Sequence, residues 1–156
     1  MLLKQLVRLA AVTDAFSRGL LGRFRGKRTV AQPPEITIGS RLPVVDVEEV
    51  IEPIDPEALP ESEPVSTEEL FGTATTILFG LPGAITPTCS DVHLPGYVKL
   101  ASKLKGLGVD TIACMSENDR FVLSAWNQTV AKCSGPNTDV RLLADADGDL
   151  AKQIGL

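Results

Sequence analysis

Cys89 is the residue whose neighbours point most directly to chemistry. It follows a loop holding Pro82, Gly83, Thr86 and Pro87 and opens a stretch with helical spacing. At a helix start, free N–H groups and the positive end of the dipole favour a thiolate, the reactive form of a cysteine. Thr86, three residues earlier, offers a hydroxyl to the same spot, while Pro82 and Pro87 fix the loop without adding competing donors. His93 lies one helical turn beyond Cys89 and raises a Cys/His hydrolase reading. That chemistry needs an orienting third group and an oxyanion site, and no local hydrolase signature accompanies the pair. A single histidine also cannot build a zinc site, which takes about four N or S ligands.

These residues need elements to position them, and the pattern from Pro33 onward is that of an α/β domain. Ile36 to Ile38 and Val44 to Val50 are short β-branched runs broken by Gly39, Pro43 and Pro53, which predicts a strand or hairpin at a sheet edge. Glu52 to Pro64, rich in Pro and Glu, reads as a solvated loop. Ser66 to Glu69 ahead of Leu70 and Phe71 reads as the cap and acidic first turn of a short helix. Strand and helix then alternate. Ala74 to Phe79, Val109 to Met115 and Val140 to Ala144 are predicted as buried strands. Cys89 to Leu104 is predicted as a helix with Leu94, Val98, Leu100, Ala101 and Leu104 inward. Glu117 to Ala131, carrying Phe121, Val122, Ala125, Trp126 and Val130, has helical spacing, and Asp149 to Ile154 forms a last helical turn. Such alternation predicts a parallel sheet, and sites in parallel sheets form beyond the carboxyl ends of the strands.

Composition narrows the function classes. The 156 residues suffice for one globular domain, and three cysteines are too few for a disulfide scaffold. No window approaches 18 consecutive apolar residues, so no helical membrane span, and no stable membrane insertion, is expected. Residues 1–31 carry seven basic residues against one acid, Asp14, whereas the remainder carries eight against nineteen. A body this acidic repels phosphates, and no nucleic-acid partner is expected. Leu2, Leu3, Leu6, Val7 and Leu9 to Val12 interleave with Lys4, Arg8 and Arg18, giving a helix apolar on one face and cationic on the other. That is transit-peptide composition, and residues 1–31 are read as a mitochondrial presequence ahead of a domain spanning 32–156. Lys4, Arg8 and Asp14 break the apolar core that a secretory signal needs. An amphipathic helix docked on the body or on an anionic surface is the alternative.

Pro82, Thr86 and Cys89 match the P-x-x-x-T-x-x-C signature of peroxiredoxins, and PGAITPTCSDVHLPGY resembles its extended form in the type-II, mammalian-five-like subfamily. EITIGSRLPVVDV, ELFGTATTILFG, GVDTIACMSENDRFVLSAW and VRLLADADGDLAK resemble successive family blocks, so the likeness covers roughly Pro34 to Leu156. The resemblance implies a thioredoxin-like fold, with a parallel βαβαβ core and an N-terminal β-hairpin. It also implies a thiol peroxidase that reduces hydrogen peroxide, organic hydroperoxides or peroxynitrite without metal, haem or flavin. Carried over by position, Cys89 is the peroxidatic nucleophile, Thr86 hydrogen-bonds the peroxide oxygens, and Pro82 shields the thiolate from water. The product is a sulfenic acid that a second thiol must reduce, with thioredoxin or glutaredoxin/glutathione as the implied reductant and a homodimer as an implied assembly. His93 then belongs to a structural S-x-x-H-L-P-G run.

The departures are at the far end. Family members carry an Arg that orients the peroxide, on an antiparallel strand whose position falls beyond Leu156, and the C-terminal ββα portion and the C-terminal resolving Cys are expected there too. Arg141, in VRLLAD, is read as structural. Without the hairpin, the strand Ala74 to Phe79 is expected to keep a free apolar edge. Cys114, 25 residues after Cys89, matches the internal resolving Cys of plant-type members and also a non-resolving Cys of mammalian-like ones, so resolving and packing roles both stay open. Cys133, in KCSGPN, is read as a bystander, and Ile85 stands where the family often has Phe. A non-catalytic short form acting by thiol exchange or partner binding is the alternative function. The terminal IGL is not of the peroxisomal S-K-L type, and cytoplasmic and peroxisomal placements stay open beside the mitochondrial one.

Overall fold

A computed structural model describes residues 35–51 and 59–156; the presequence reading lies outside the described residues. Five strands form one sheet in the order β2-β1-β5-β4-β3, where β1 is Asp46–Ile51, β2 Glu61–Ser66, β3 Thr76–Leu81, β4 Thr111–Ser116 and β5 Arg141–Ala144. The last three are parallel, as their alternation with helices predicts, while β1 runs antiparallel to both β5 and β2. The helices are α1 (Thr67–Phe71), α2 (Leu94–Gly106), α3 (Arg120–Ser134) and α4 (Asp149–Ile154), and a π-helical turn, Cys89–His93, runs directly into α2.

Strands buried on both faces read as continuous apolar runs, and β3, β4 and β5 do so because side chains alternate between two cores. Phe79, Leu81, Ile112, Cys114, Leu142 and Ala144 join Leu94, Ala101, Leu123, Trp126 and Val130 on the face covered by α2 and α3. Leu78, Ala113, Met115 and Leu143 join Leu70, Phe71, Leu150, Ala151 and Ile154 on the face covered by α1 and α4.

Several boundaries differ from the sequence expectation. The strand predicted over Ala74 to Phe79 lies over Thr76–Leu81, because Thr75 is held by Asp110: the Thr75 N–H donates to the Asp110 carboxylate, and the Asp110 N–H donates back to the Thr75 carbonyl. The same exchange delays β4 to Thr111. Part of the predicted loop Glu52 to Pro64 is strand β2, paired with β1 from Asp46↔Ser66 to Ile51↔Glu61. Ile36 to Ile38 is not a strand; the Ile36 N–H donates to the Ile154 carbonyl, after which the chain turns at Thr37 to Ser40. Helix α3 starts at Arg120, where the Asp119 carboxylate caps the Val122 N–H, and it extends to Ser134, so Cys133 sits on its last turn rather than in a loop. Within it Leu123 and Asn127 are buried, while Phe121 and Ala125 are exposed. Leu100, predicted inward, is 51 % exposed; α2 packs through Leu94, Tyr97, Val98, Ala101 and Leu104.

Candidate functional site

Beyond the carboxyl end of β3 the chain makes a five-residue loop, Pro82 to Thr86, before turning helical at Pro87. Proline is well placed at a first helical position, since its missing N–H would have no intrahelical partner. The Ser90 N–H donates to the Thr86 carbonyl at 3.0 Å, which places Cys89 in the first turn, where N–H groups lack carbonyls four residues earlier. The Thr86 hydroxyl donates to the Gly83 carbonyl at 3.1 Å. Cys89 is only 4 % exposed, Thr86 is half-buried, and Pro82 and Ile85 are exposed. The loop and turn that carry the three sequence-predicted residues thus lie together at one end of the sheet, at the carboxyl end of a parallel strand.

Sequence reasoning missed the side chains that hold this loop. The Asn118 Oδ1 accepts from the Ala84 N–H at 2.8 Å and from the Ser116 hydroxyl at 2.8 Å. The Ser90 hydroxyl faces the Thr86 and Ala84 carbonyls at 2.8 and 3.3 Å and accepts from the Trp126 indole N–H at 2.9 Å. Neither pairing follows a sequence period; the one available signal was the run of polar residues Ser116 to Asp119 at a strand end.

His93 is placed for packing. Its ring lies 4.9 Å from Phe79 and 5.7 Å from Tyr97, and Phe79 and Tyr97 stack at 3.9 Å with a 10° tilt. Burial holds the imidazole below its ordinary titration range, as expected of a neutral ring among rings. Cys114, 1 % exposed and opposite Phe79 across β3 and β4, is pushed far up by burial and then by the nearby Cys89. Burial, then Cys114, also raises Tyr97. Cys133 is exposed.

Arg141 is far from this chemistry. At the start of β5 its Nε donates to the Glu49 carboxylate at 2.6 Å and its Nη2 to the second oxygen, a bidentate pair that raises the guanidinium further above its ordinary value. It borders a cleft of about 450 Å³ at the amino ends of β4 and β5, with Lys105, Asp110, Asn127, Asn137 and Asp139. Neither Cys89 nor Thr86 lines that cleft. Among the described residues no three His, Cys, Asp or Glu side chains gather as a metal site, and no helix is long and apolar enough to cross a membrane.

The Redoxin family model matches residues 37–156. Peroxiredoxin-2E, chloroplastic, of Arabidopsis thaliana is 36 % identical over 92 % of this chain and 63 % of its own length. Peroxiredoxin-2B of the same plant is 44 % identical over 58 % of this chain and 54 % of its own. The chain therefore spans between about half and just under two thirds of these curated relatives. Among solved structures, reduced Prx3 of Vibrio vulnificus in complex with hydrogen peroxide superposes with a TM-score of 0.63 at 38 % identity, covering 78 % of this chain and 69 % of that one. Peroxiredoxin 5 of Alvinella pompejana superposes with a TM-score of 0.56 at 33 % identity, covering 77 % and 69 %.

Proposed function

Because the chain belongs to the redoxin family and is a peroxiredoxin of thioredoxin-like fold, we propose that it is a thiol-dependent peroxidase working through Cys89. The observation that carries this reading is the placement of Cys89 in the first turn after a parallel strand, three residues from a Thr86 hydroxyl already fixed to Gly83. With its proton directed at the Gly83 carbonyl, the Thr86 oxygen presents lone pairs, so it acts as the acceptor for a peroxide O–H. The Cys89 thiolate attacks the near peroxide oxygen. The S–O bond forms as the O–O bond breaks, and the leaving group takes a proton from solvent and departs as water, or as an alcohol from an organic hydroperoxide; from peroxynitrite it departs as nitrite. Pro82 at the rim limits water around the sulfur. A thiol then displaces water from the sulfenic acid to give a mixed disulfide, and a second thiol releases Cys89.

Hydrogen peroxide, organic hydroperoxides and peroxynitrite are the proposed substrates, and thioredoxin or glutaredoxin/glutathione the proposed reductant. For Cys114 to resolve the sulfenic acid it must first leave a buried site that disfavours its thiolate, which supports an external thiol for the folded arrangement. Residues 32–156 form the catalytic domain in this reading, with residues 1–31 as an organellar presequence. Mitochondria are the compartment we propose from its composition, while the chloroplastic relative makes plastids the competing address. A fluorescent reporter fused to residues 1–31 should enter mitochondria; accumulation in plastids or the cytosol would correct the compartment.

Dimedone trapping followed by mass spectrometry tests the activity. After brief exposure to hydrogen peroxide the adduct should fall on Cys89, and Cys89→Ser should abolish peroxide consumption; equal labelling of all three cysteines would refute the assignment.

A further inference from the structure

The loop between β3 and the π turn has no strand partner, yet its middle is fixed. Ala84, fully buried and two residues before Thr86, has both of its backbone groups engaged: its N–H donates to the Asn118 Oδ1 at 2.8 Å, and its carbonyl lies 3.3 Å from the Ser90 hydroxyl. An N–H can only donate, so the atom of Asn118 facing it must be the oxygen. The same oxygen takes the Ser116 hydroxyl at 2.8 Å, and the Asn118 N–H returns to the Ser116 oxygen at 3.3 Å. Ser116 ends β4 in register with Leu81, the last residue of β3. A closed set of hydrogen bonds therefore ties the loop that carries Thr86 to the end of the neighbouring strand. The Trp126 indole N–H holds the Ser90 hydroxyl, next to Cys89, at 2.9 Å.

Resting on the peroxidase reading above, we propose that Asn118 is a positioning residue for peroxide reduction. By holding the Ala84 N–H it sets where the Thr86 hydroxyl lies relative to the Cys89 sulfur. Asn118 touches no reacting atom; its effect passes through the peptide of Ala84. Displacement of a reacting group by about 1 Å can cost roughly a hundredfold in rate, so release of this one peg is expected to slow the reaction measurably. It also loosens the cover over a sulfur that is nearly inaccessible in the folded chain. Loss of Asn118 should therefore move two readouts of the same cysteine in opposite directions: slower attack on peroxide, which needs the aligned geometry, and faster alkylation by iodoacetamide, which needs only access.

The experiment uses the 156-residue chain as wild type, Asn118→Ala and Asn118→Asp, the last retaining an oxygen at the Oδ1 position. Cys89 oxidation by hydrogen peroxide is followed by stopped flow, its alkylation by mass spectrometry, and the seating of the turn by the fluorescence of Trp126, the chain's one tryptophan. Asn118→Ala should oxidise about tenfold more slowly and be alkylated several-fold faster with altered Trp126 emission, while Asn118→Asp stays within about threefold of wild type in both rates. An Asn118→Ala variant matching wild type in both rates, or an Asn118→Asp variant no better than Asn118→Ala, overturns the proposal. In wild type alone, the Ala84 N–H should exchange slowly with deuterium despite lying outside any helix or strand; fast exchange overturns the proposal even if the variants do not fold. A wild-type chain in which Cys89 forms no sulfenic acid overturns the peroxidase reading and takes this inference with it. Normal wild-type oxidation with an indifferent Asn118→Ala removes the inference alone.

Discussion

At the scale of single residues, three cysteines of one chain meet three environments, and the differences are measurable. Cys114 lies on the face of β4 covered by α2 and α3, where burial strongly favours the neutral thiol and the nearby Cys89 adds to that effect. Because only the thiolate reacts, native-state iodoacetamide at pH 8 should label the exposed Cys133 readily and leave Cys114 untouched until the chain unfolds; labelling of Cys114 in the folded state would contradict its placement. Thr86→Val removes the hydroxyl while keeping the shape, and it should slow Cys89 oxidation by at least about tenfold, while the lost bond to the Gly83 carbonyl lowers stability by only about 1 kcal/mol, read from the urea midpoint. His93, the chain's one histidine, gives a pH signature. Its folded titration lies below the ordinary value of 6.5 because burial penalises the charged ring, so the unfolded chain binds the proton first. Stability from this residue is present above pH 6.5 and is lost as the pH falls below it. The melting temperature should therefore decline on going from pH 7.5 to pH 5, and His93→Gln should flatten that decline. Cys89 and Thr86 were legible as a candidate site because a loop, two prolines and a helix start surround them in sequence. Asn118 and Trp126 were not, since they reach the loop across 34 and 36 residues of chain.

Among the elements, legibility followed burial. Helix α4 lies where Asp149 to Ile154 placed it, and α1 carries the Ser66 cap that its sequence announced. The parallel strands were found by their apolar runs and slipped by one or two residues, because side chains such as Asp110 capture backbone groups at their ends. Strand β2 escaped because Glu61, Glu63 and Pro64 are residues of an outer strand, chosen for solvent and for protection of an edge rather than for a core. The π turn left no trace, since inserting one residue into a helix shifts the apolar face without a pattern of its own. Buried Asp145 shows how one side chain can fix an element: its two oxygens accept from the Leu150 and Ala151 N–H groups at 3.1 and 2.9 Å, while its own N–H donates to the Ser116 carbonyl. The carboxylate thus seats α4 on the end of β4 in place of a conventional cap. Asp145→Ala leaves both N–H groups unpaired in a buried site and should cost about 2 kcal/mol, read as a lower urea midpoint at unchanged slope.

For the whole molecule, the two edges of the sheet are unlike. The β2 edge presents Glu61, Glu63 and Pro64, and charge and proline discourage pairing with another chain. The β3 edge presents Thr76–Leu81, sequence TILFGL, with no acid, base or proline, and among the described residues no strand pairs with its outer side. Backbone N–H and C=O groups on such an edge are a template for a further strand, and the apolar composition removes the electrostatic obstacle to bringing one there. In a solution of this chain a second copy is the partner present at the highest concentration. The chain in isolation should therefore self-associate through β3, with a weight-average mass that rises with concentration in sedimentation measurements. The acidic balance of eight basic against nineteen acidic residues after position 31 opposes this association over distances comparable to the Debye length, so added salt should promote it. An Ile77→Lys substitution places a charge on the half-buried part of the edge and should return the chain toward monomer. A mass that stays monomeric across concentration and salt, with Ile77→Lys indistinguishable from wild type, would show that the β3 edge is already blocked.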